Sequence, residues 1–225
     1  MKKFTGVLAL AAAMLIAFTA YTLSEGDKSK DSKVTSGEMT KKAVVPMAEL
    51  NKPAPDFSLA GADGKKYSLA DFAGKWVVLE WINLECPFVK KHYGSKNMQN
   101  LQNAFVEKEV AWLTICSSAP KNQGYYEGEV LTAKIKEAGL HSTAYLVDAQ
   151  GKVGKMYEAK TTPHMFIVNP QGVLVYAGAI DDKPSTKIED LEGATNYVKA
   201  ALDAAMAGRE IQVASTTSYG CSVKY

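Results

Sequence analysis

Two stretches of the chain are apolar almost without interruption. "WVVLEWI" (Trp76 to Ile82) is broken only by Glu80, and "VAWLTIC" (Val110 to Cys116) only by Thr114. Runs of this length without alternation predict strands buried on both faces, as in the middle of a parallel sheet. "TAYLVD" (Thr143 to Asp148) predicts a third such strand. Between these lie amphipathic stretches. Phe88, Tyr93, Met98, Leu101, Gln102 and Phe105 recur at mostly helical spacing, predicting a helix from Pro87 to about Lys108. "EGEVLTAKIKEAGL" predicts a helix ended by Gly139. "QGKVGKMYEA" predicts a short turn or helix. Upstream, "PDFSLAGADGKKYSLADFAGK" alternates around a Gly-Ala-Asp-Gly turn and predicts a hairpin or two short strands. Downstream, "HMFIVNPQGVLVYAG" predicts a hairpin turning at Asn169 to Gly172. "IEDLEGATNYVKAALDAAMAG" predicts a last helix ended by Gly208. The alternation of strand and helix, closed by a hairpin, predicts an α/β domain with a central mixed sheet flanked by helices.

The first 47 residues depart from this pattern. Lys2 and Lys3 precede an apolar run from Gly6 to Phe18. The run suits a signal-peptide core and is short for a spanning helix, which needs about 20 apolar residues. Residues 1–23 are therefore expected to be a signal peptide or N-terminal membrane anchor. Residues 24–47, charged and Ser-rich, are expected to be a disordered linker. The expected location is exported, periplasmic or otherwise extracytoplasmic, with a possible tether to the inner membrane. The domain is expected at 48–208, followed by a polar and irregular tail at 209–225 that carries Cys221 and either stays flexible or folds back on the domain.

Composition narrows the partners. The chain has 225 residues with 26 basic and 24 acidic side chains, and Lys2 and Lys3 are the only charges before Glu25. Without them the body is neutral, so electrostatics gives no reason to expect nucleic acid as a partner. Three cysteines, Cys86, Cys116 and Cys221, leave an odd thiol in an exported protein. Their spacing is unlike a structural zinc site, and no cofactor or metal is expected.

The chemistry centres on "NLECPFVKKH" (Asn83 to His92). Cys86 ends a buried strand and precedes Pro87, which favours the first position of a helix. The unpaired N–H groups of a helix N-terminus favour a thiolate, the only form that attacks a disulfide or peroxide. Lys90, Lys91 and His92 are expected to add positive potential, with Glu85 opposing. Val89 occupies the place where a Cys-x-x-Cys motif would carry its second thiol, so a resolving thiol must lie elsewhere. Cys116, at the end of the second strand, reads first as a core thiol, although its strand end could approach Cys86. Cys221 follows Gly220 in the tail. It is a candidate resolving thiol within the chain or between chains, with an unpaired thiol or a bond to another protein as alternatives.

The stretches "PAPDFSLAGADGKKYSLADFAGKWVVLEWIN", "CP" and "YLVDAQGKVGKMYEAKTTPHMFIVNPQGVLVYAG" resemble the thioredoxin-like superfamily, in its alkyl hydroperoxide reductase/thiol-specific antioxidant (redoxin) branch. "CPFVKKHY" with the C-terminal "GCSVK" resembles a peroxiredoxin-like subgroup of exported redoxins. The resemblance implies a thioredoxin-like fold and a thiol-dependent oxidoreductase of the cell envelope. It implies a cis bond at Thr162-Pro163, in a loop that lies against the reactive cysteine and pairs with extended substrate chains. His164 follows that loop as a candidate neighbour of the sulfur. Two departures bear on the substrate. Asn83 stands where peroxiredoxins carry a threonine, and the chain has no arginine except Arg209 to clamp a peroxide. Lys90 is at best a weak substitute. The expected partner is a thiol/disulfide redox protein or a peroxide. The alternative is a non-catalytic binding module or metallochaperone, but Lys90 stands where a copper carrier of this fold would have its second cysteine.

Overall fold

The computed structural model describes residues 46–225. The expected leader at 1–23 lies outside the described residues, as does the expected linker at 24–47 apart from Pro46 and Met47. Among the described residues no helix is long and apolar enough to cross a membrane.

The two apolar runs form strands β3 (Val77–Trp81) and β4 (Ala111–Cys116), and all of their residues are buried. They pair in parallel, and β4 pairs in parallel with β5 (Ala144–Val147). The hairpin of β1 (Ser58–Gly61) and β2 (Lys66–Ser68) adds antiparallel to β5. At the other side of the sheet, β7 (His164–Val168) runs antiparallel to β3 and turns back into β8 (Leu174–Gly178). The seven-stranded mixed sheet has the order β2-β1-β5-β4-β3-β7-β8. A separate two-stranded ladder joins β6 (Thr161–Thr162) to β9 (Cys221–Ser222).

Side chains alternate across the sheet, so each face has its own core. Val78 and Ile82 face a layer that includes Met98, Leu101 and Phe105 of α2 (Asn97–Val106), Leu131 of α3 (Gly128–Ala138) and Leu202 of α5 (Tyr197–Met206). Cys86 and Val89, at the start of α1 (Pro87–Gly94), belong to this same layer. Val77, Leu79 and Trp81 face the other layer, closed by Phe57, Leu69 and Val153 and Met156 of α4 (Lys152–Met156).

The single helix expected from Pro87 to Lys108 is two helices. Ser95 Oγ bonds back to the Lys91 and His92 carbonyls, and Lys96 adopts a left-handed conformation with φ 61°. A short hydroxyl side chain that captures carbonyls of its own helix competes with its continuation. The last expected helix is also shortened. Gly193 turns the chain with φ 69°, and Asn196 Oδ1 accepts from the Lys199 amide to start α5 afresh.

Glu80 is fully buried among apolar neighbours. Its carboxyl accepts from Tyr93 Oη (2.9 Å), Gln102 Nε2 (3.0 Å), Trp112 Nε1 (2.7 Å) and Thr114 Oγ1 (3.3 Å). Burial raises its pKa and these hydrogen bonds only partly offset that. The one polar residue that breaks the central strand is thus the hub of a satisfied buried network.

The segment after Gly208 takes the folded-back course of the two open to the tail. It is laid across the domain as a strap. The Ala177 amide donates to the Ala214 carbonyl and the Thr216 amide to the Ala177 carbonyl, along the free edge of β8. Tyr225 Oη donates to the Ala159 carbonyl (2.7 Å), and the Ala119 amide to the Lys224 carbonyl (2.8 Å). Polar residues without a hydrophobic period hold this path through backbone bonds and aromatic anchors.

Candidate active site

Cys86 is the N-cap of α1, with extended backbone, and Pro87 takes the first helical position as the sequence predicts. The turn that delivers it is set by Asn83. Asn83 Oδ1 accepts from the Glu85 amide (2.9 Å), and the Cys86 amide donates to the Asn83 carbonyl (2.9 Å). The Asn83 amide group is turned to the Gln123 carbonyl (3.2 Å). At the position of the peroxiredoxin threonine, this side chain therefore shapes the loop rather than presenting a donor to a substrate.

The Cys86 side chain is completely buried. Its Sγ lies 3.1 Å from the Thr162 carbonyl oxygen, to which the protonated thiol donates. The Thr162-Pro163 bond is cis. On the far side of β6, Cys221 pairs directly with Thr162 in the antiparallel ladder. This register brings Cys221 beside Cys86, close enough for each thiol to shift the acidity of the other. Three segments distant in sequence thus converge on one sulfur.

The two thiols are driven apart in acidity. Burial pushes the Cys86 pKa up, but the polar groups around it, the Cys221 thiol first and then the Thr162 side chain and the Val89 amide, favour the thiolate, and the net direction is down. Burial, and then the hydrogen bond and charge of Cys86, push the Cys221 pKa up. Opposite shifts of this kind are what a close pair of thiols needs if one is to ionise while the other keeps its proton. Cys116 is separate. It is buried, and its thiol points to the Gly124 carbonyl at 3.4 Å, as a core thiol does.

The cations expected around Cys86 are directed elsewhere. Lys90 Nζ binds Glu85 Oε2 at 3.0 Å on the surface. Glu85 is held down to about 2 by the Tyr126 hydroxyl and by Lys90. Their charges cancel, so Lys90 is not a supporting cation for the thiolate. Lys91 is buried and donates to the Lys183 carbonyl at 2.8 Å. His164 is a second correction. Its Nδ1 accepts from the Lys160 amide (3.2 Å), and its ring packs on Phe166 with centroids 4.4 Å apart. Phe166 belongs to the layer on the opposite face of the sheet from Cys86. Burial and the Lys160 charge hold His164 down to about 4, so it is neutral at physiological pH. Arg209, the lone arginine, donates to the Asp203 carbonyl on the surface.

A polar cluster beside the site went unread in the sequence. Asp181 is buried. Its Oδ1 accepts from Tyr219 Oη and from the Lys183 amide (2.9 Å), and its Oδ2 lies 4.0 Å from Lys91 Nζ and 3.9 Å from His92 Nε2. His92 Nε2 is 3.3 Å from Tyr219 Oη, and its Nδ1 meets Asn97 Nδ2 at 2.8 Å. Burial and the Lys91 charge hold His92 down to about 3. Tyr219 packs its ring on Phe88 of α1 at 5.9 Å. The cluster pins the strap two residues before Cys221. Only the closeness of Tyr219 to Cys221 in "SYGCSVKY" hinted at it.

The sequence matches the AhpC/TSA family over residues 50–177, more than half of the chain. It is 25% identical over 153 residues to a thioredoxin peroxidase of Fasciola hepatica, covering 64% of this chain and 77% of that protein. It is 23% identical to the thioredoxin-like protein YneN of Bacillus subtilis, covering 85% of this chain and 98% of that one. Among solved structures, an uncharacterised conserved protein of Geobacillus kaustophilus superposes with a TM-score of 0.68 at 30% identity, covering 80% of this chain and 93% of that one. A hypothetical protein of Sinorhizobium meliloti superposes with 0.64 at 27% identity, covering 79% and 94%. The chain belongs to the AhpC/TSA family, a thiol oxidoreductase family of thioredoxin-like fold.

Proposed function

We propose that Cys86 and Cys221 form one dithiol–disulfide couple in an exported thiol oxidoreductase, Cys86 attacking and Cys221 resolving. The observation that carries this reading is the pairing of Cys221 with Thr162, which sets a protonated thiol against a buried one of lowered pKa. With a disulfide substrate, the Cys86 thiolate attacks one sulfur, forms a mixed disulfide and expels the other sulfur as a thiolate. Cys221 then loses its proton and attacks Cys86 Sγ. The bond to the substrate breaks, the substrate leaves fully reduced, and a Cys86–Cys221 disulfide remains. A thiol donor reduces that disulfide to close the cycle.

Disulfide exchange is favoured over peroxide reduction because Asn83, Lys90 and Arg209 are all committed elsewhere. Peroxide is the second reading, supported by the complete burial of Cys86, which admits a small oxidant more readily than a protein. In that case Cys86 becomes a sulfenic acid, and Cys221 displaces water from it to give the same disulfide. Export rests on the basic start and apolar run of residues 2–18.

The test is pH-dependent alkylation of Cys86, with its adduct identified by mass spectrometry, followed by stopped-flow reaction with hydrogen peroxide and with a protein disulfide. The reading expects a Cys86 pKa below the ordinary value of about 8.5, raised in Cys221→Ala, which removes the donor. A Cys86 pKa at or above that value removes both versions.

A further inference from the structure

The strap does more than carry a thiol. Its residues 219–223 lie in extended form along the outer edge of β6, where Cys221 pairs with Thr162, Ser222 pairs with Thr161, and the Val223 amide donates to the Lys160 carbonyl at 3.1 Å. An unpaired strand edge binds any extended chain through its backbone, and neighbouring side chains then set the specificity. Here the internal occupant shows what fits. A cysteine opposite Thr162 lies beside Cys86, near enough to shift its acidity. The residue before it must be glycine, because Gly220 has φ 135° and a Cβ there would stand 2.1 Å from the Thr162 oxygen. The residue before that is aromatic, seated on Phe88. With the strap in place Cys86 has no exposed surface, so no protein sulfur reaches it.

We propose that the strap is an internal copy of the substrate, and that the β6 edge takes extended aromatic-Gly-Cys segments of protein disulfides once the strap lifts. This rests on Cys86 being the attacking thiol. In the step itself, the Cys86 thiolate attacks the cysteine sulfur of the docked segment, forms a mixed disulfide with it, and expels the sulfur formerly bonded to it as a thiolate. The seated strap blocks the exchange until it leaves.

The probe is the peptide Thr-Ser-Tyr-Gly-Cys-Ser-Val, its cysteine carried as a mixed disulfide with 5-thio-2-nitrobenzoate. Attack by Cys86 on the peptide sulfur releases the coloured thiolate. A second peptide has alanine in place of glycine. Both are added to reduced full-length Cys221→Ser, alone and with Gly220→Ala to lift the strap, and mass spectrometry confirms the adduct on Cys86. Val223→Pro, which removes the amide that donates to Lys160, replaces Gly220→Ala if that variant does not fold. Lifting the strap is expected to speed the glycine peptide by about tenfold or more, and the alanine peptide is expected to react slower by a similar factor. The docking proposal is overturned if the two peptides react within about twofold of each other, or if lifting the strap leaves the rate unchanged. The free reagent 5,5′-dithiobis(2-nitrobenzoate) separates the two levels of the argument. If it labels Cys86 in the lifted variants while the peptides fail, only the docking proposal falls. If it does not label Cys86 at all, the attacking role falls and the docking proposal with it.

Discussion

Replacing Tyr219 by phenylalanine removes a single oxygen from the anchor of the strap. The ring keeps its seat on Phe88 and beside Lys91, whose Nζ is 5.5 Å from the ring centre, so packing is retained. What goes is the hydroxyl that donates to Asp181 Oδ1 and meets His92 Nε2. Asp181 keeps the Lys183 amide on Oδ1, but its Oδ2 already lacks a hydrogen-bond partner. A hydrogen bond to a charged group contributes about 1.5–3 kcal/mol, and water does not readily replace it in a buried site. The strap is an edge element, so the loss is expected to appear first as local opening. On that scale the opening equilibrium rises by roughly 10- to 150-fold. The assay is the native-state rate of Cys221 alkylation in wild type and Tyr219→Phe, paired with urea denaturation. The expected result is a rise in the Cys221 rate of that order, with the urea slope unchanged. If the rate stays within about twofold and the urea midpoint does not move, Tyr219 does not hold the strap.

Three further perturbations separate the working parts from the structural ones. Burial raises the pKa of Glu80 in the folded state, so its contribution to stability is fully present below the unfolded value of about 4.5 and is lost as pH rises through the folded value. Glu80→Gln should therefore show a shallower decline of the urea midpoint than wild type between pH 5 and 8, and an identical decline would refute the buried-carboxyl account. His164 is depressed to about 4, so its contribution is present above the unfolded value of about 6.5 and lost as pH falls toward 4. His164→Gln should flatten acid destabilisation in that window yet leave Cys86 alkylation at pH 7 within about twofold, since the ring lies on the other face of the sheet; a larger change would return it to the site. Lys90→Ala breaks only an exposed pair with Glu85, so stability should change by less than about 1 kcal/mol and the Cys86 pKa should not move; a clear rise would restore Lys90 as a supporting cation.

The central strands were legible because burial on both faces leaves a continuous apolar run, and "WVVLEWI" and "VAWLTIC" are too short for a buried helix. Cys86 at the strand end before Pro87 was legible for the same reason, since strand and helix signals meet there. The meeting of Cys86 with Thr162 and Pro163 came from family resemblance, because no local pattern reports a contact between residues 76 apart. Glu80 was seen only as an interruption. One letter does not show that donors from α1, α2 and β4 will close on it. The course of the strap was left open because its hold is backbone pairing and two tyrosines, neither of which leaves a hydrophobic period. Lys90 and His164 were assigned to the site by proximity in sequence, whereas the pleat of β7 and the surface pair with Glu85 decide where those side chains point.

The couple itself is tested most directly by oxidising the reduced protein with one equivalent of a low-molecular-weight disulfide, blocking free thiols, and sequencing the digest by mass spectrometry. The account predicts a peptide linking Cys86 to Cys221 within one chain, with Cys116 alkylatable only after unfolding. Oxidised protein in which Cys86 and Cys221 remain unlinked, or in which Cys116 pairs with Cys86 instead, would contradict it.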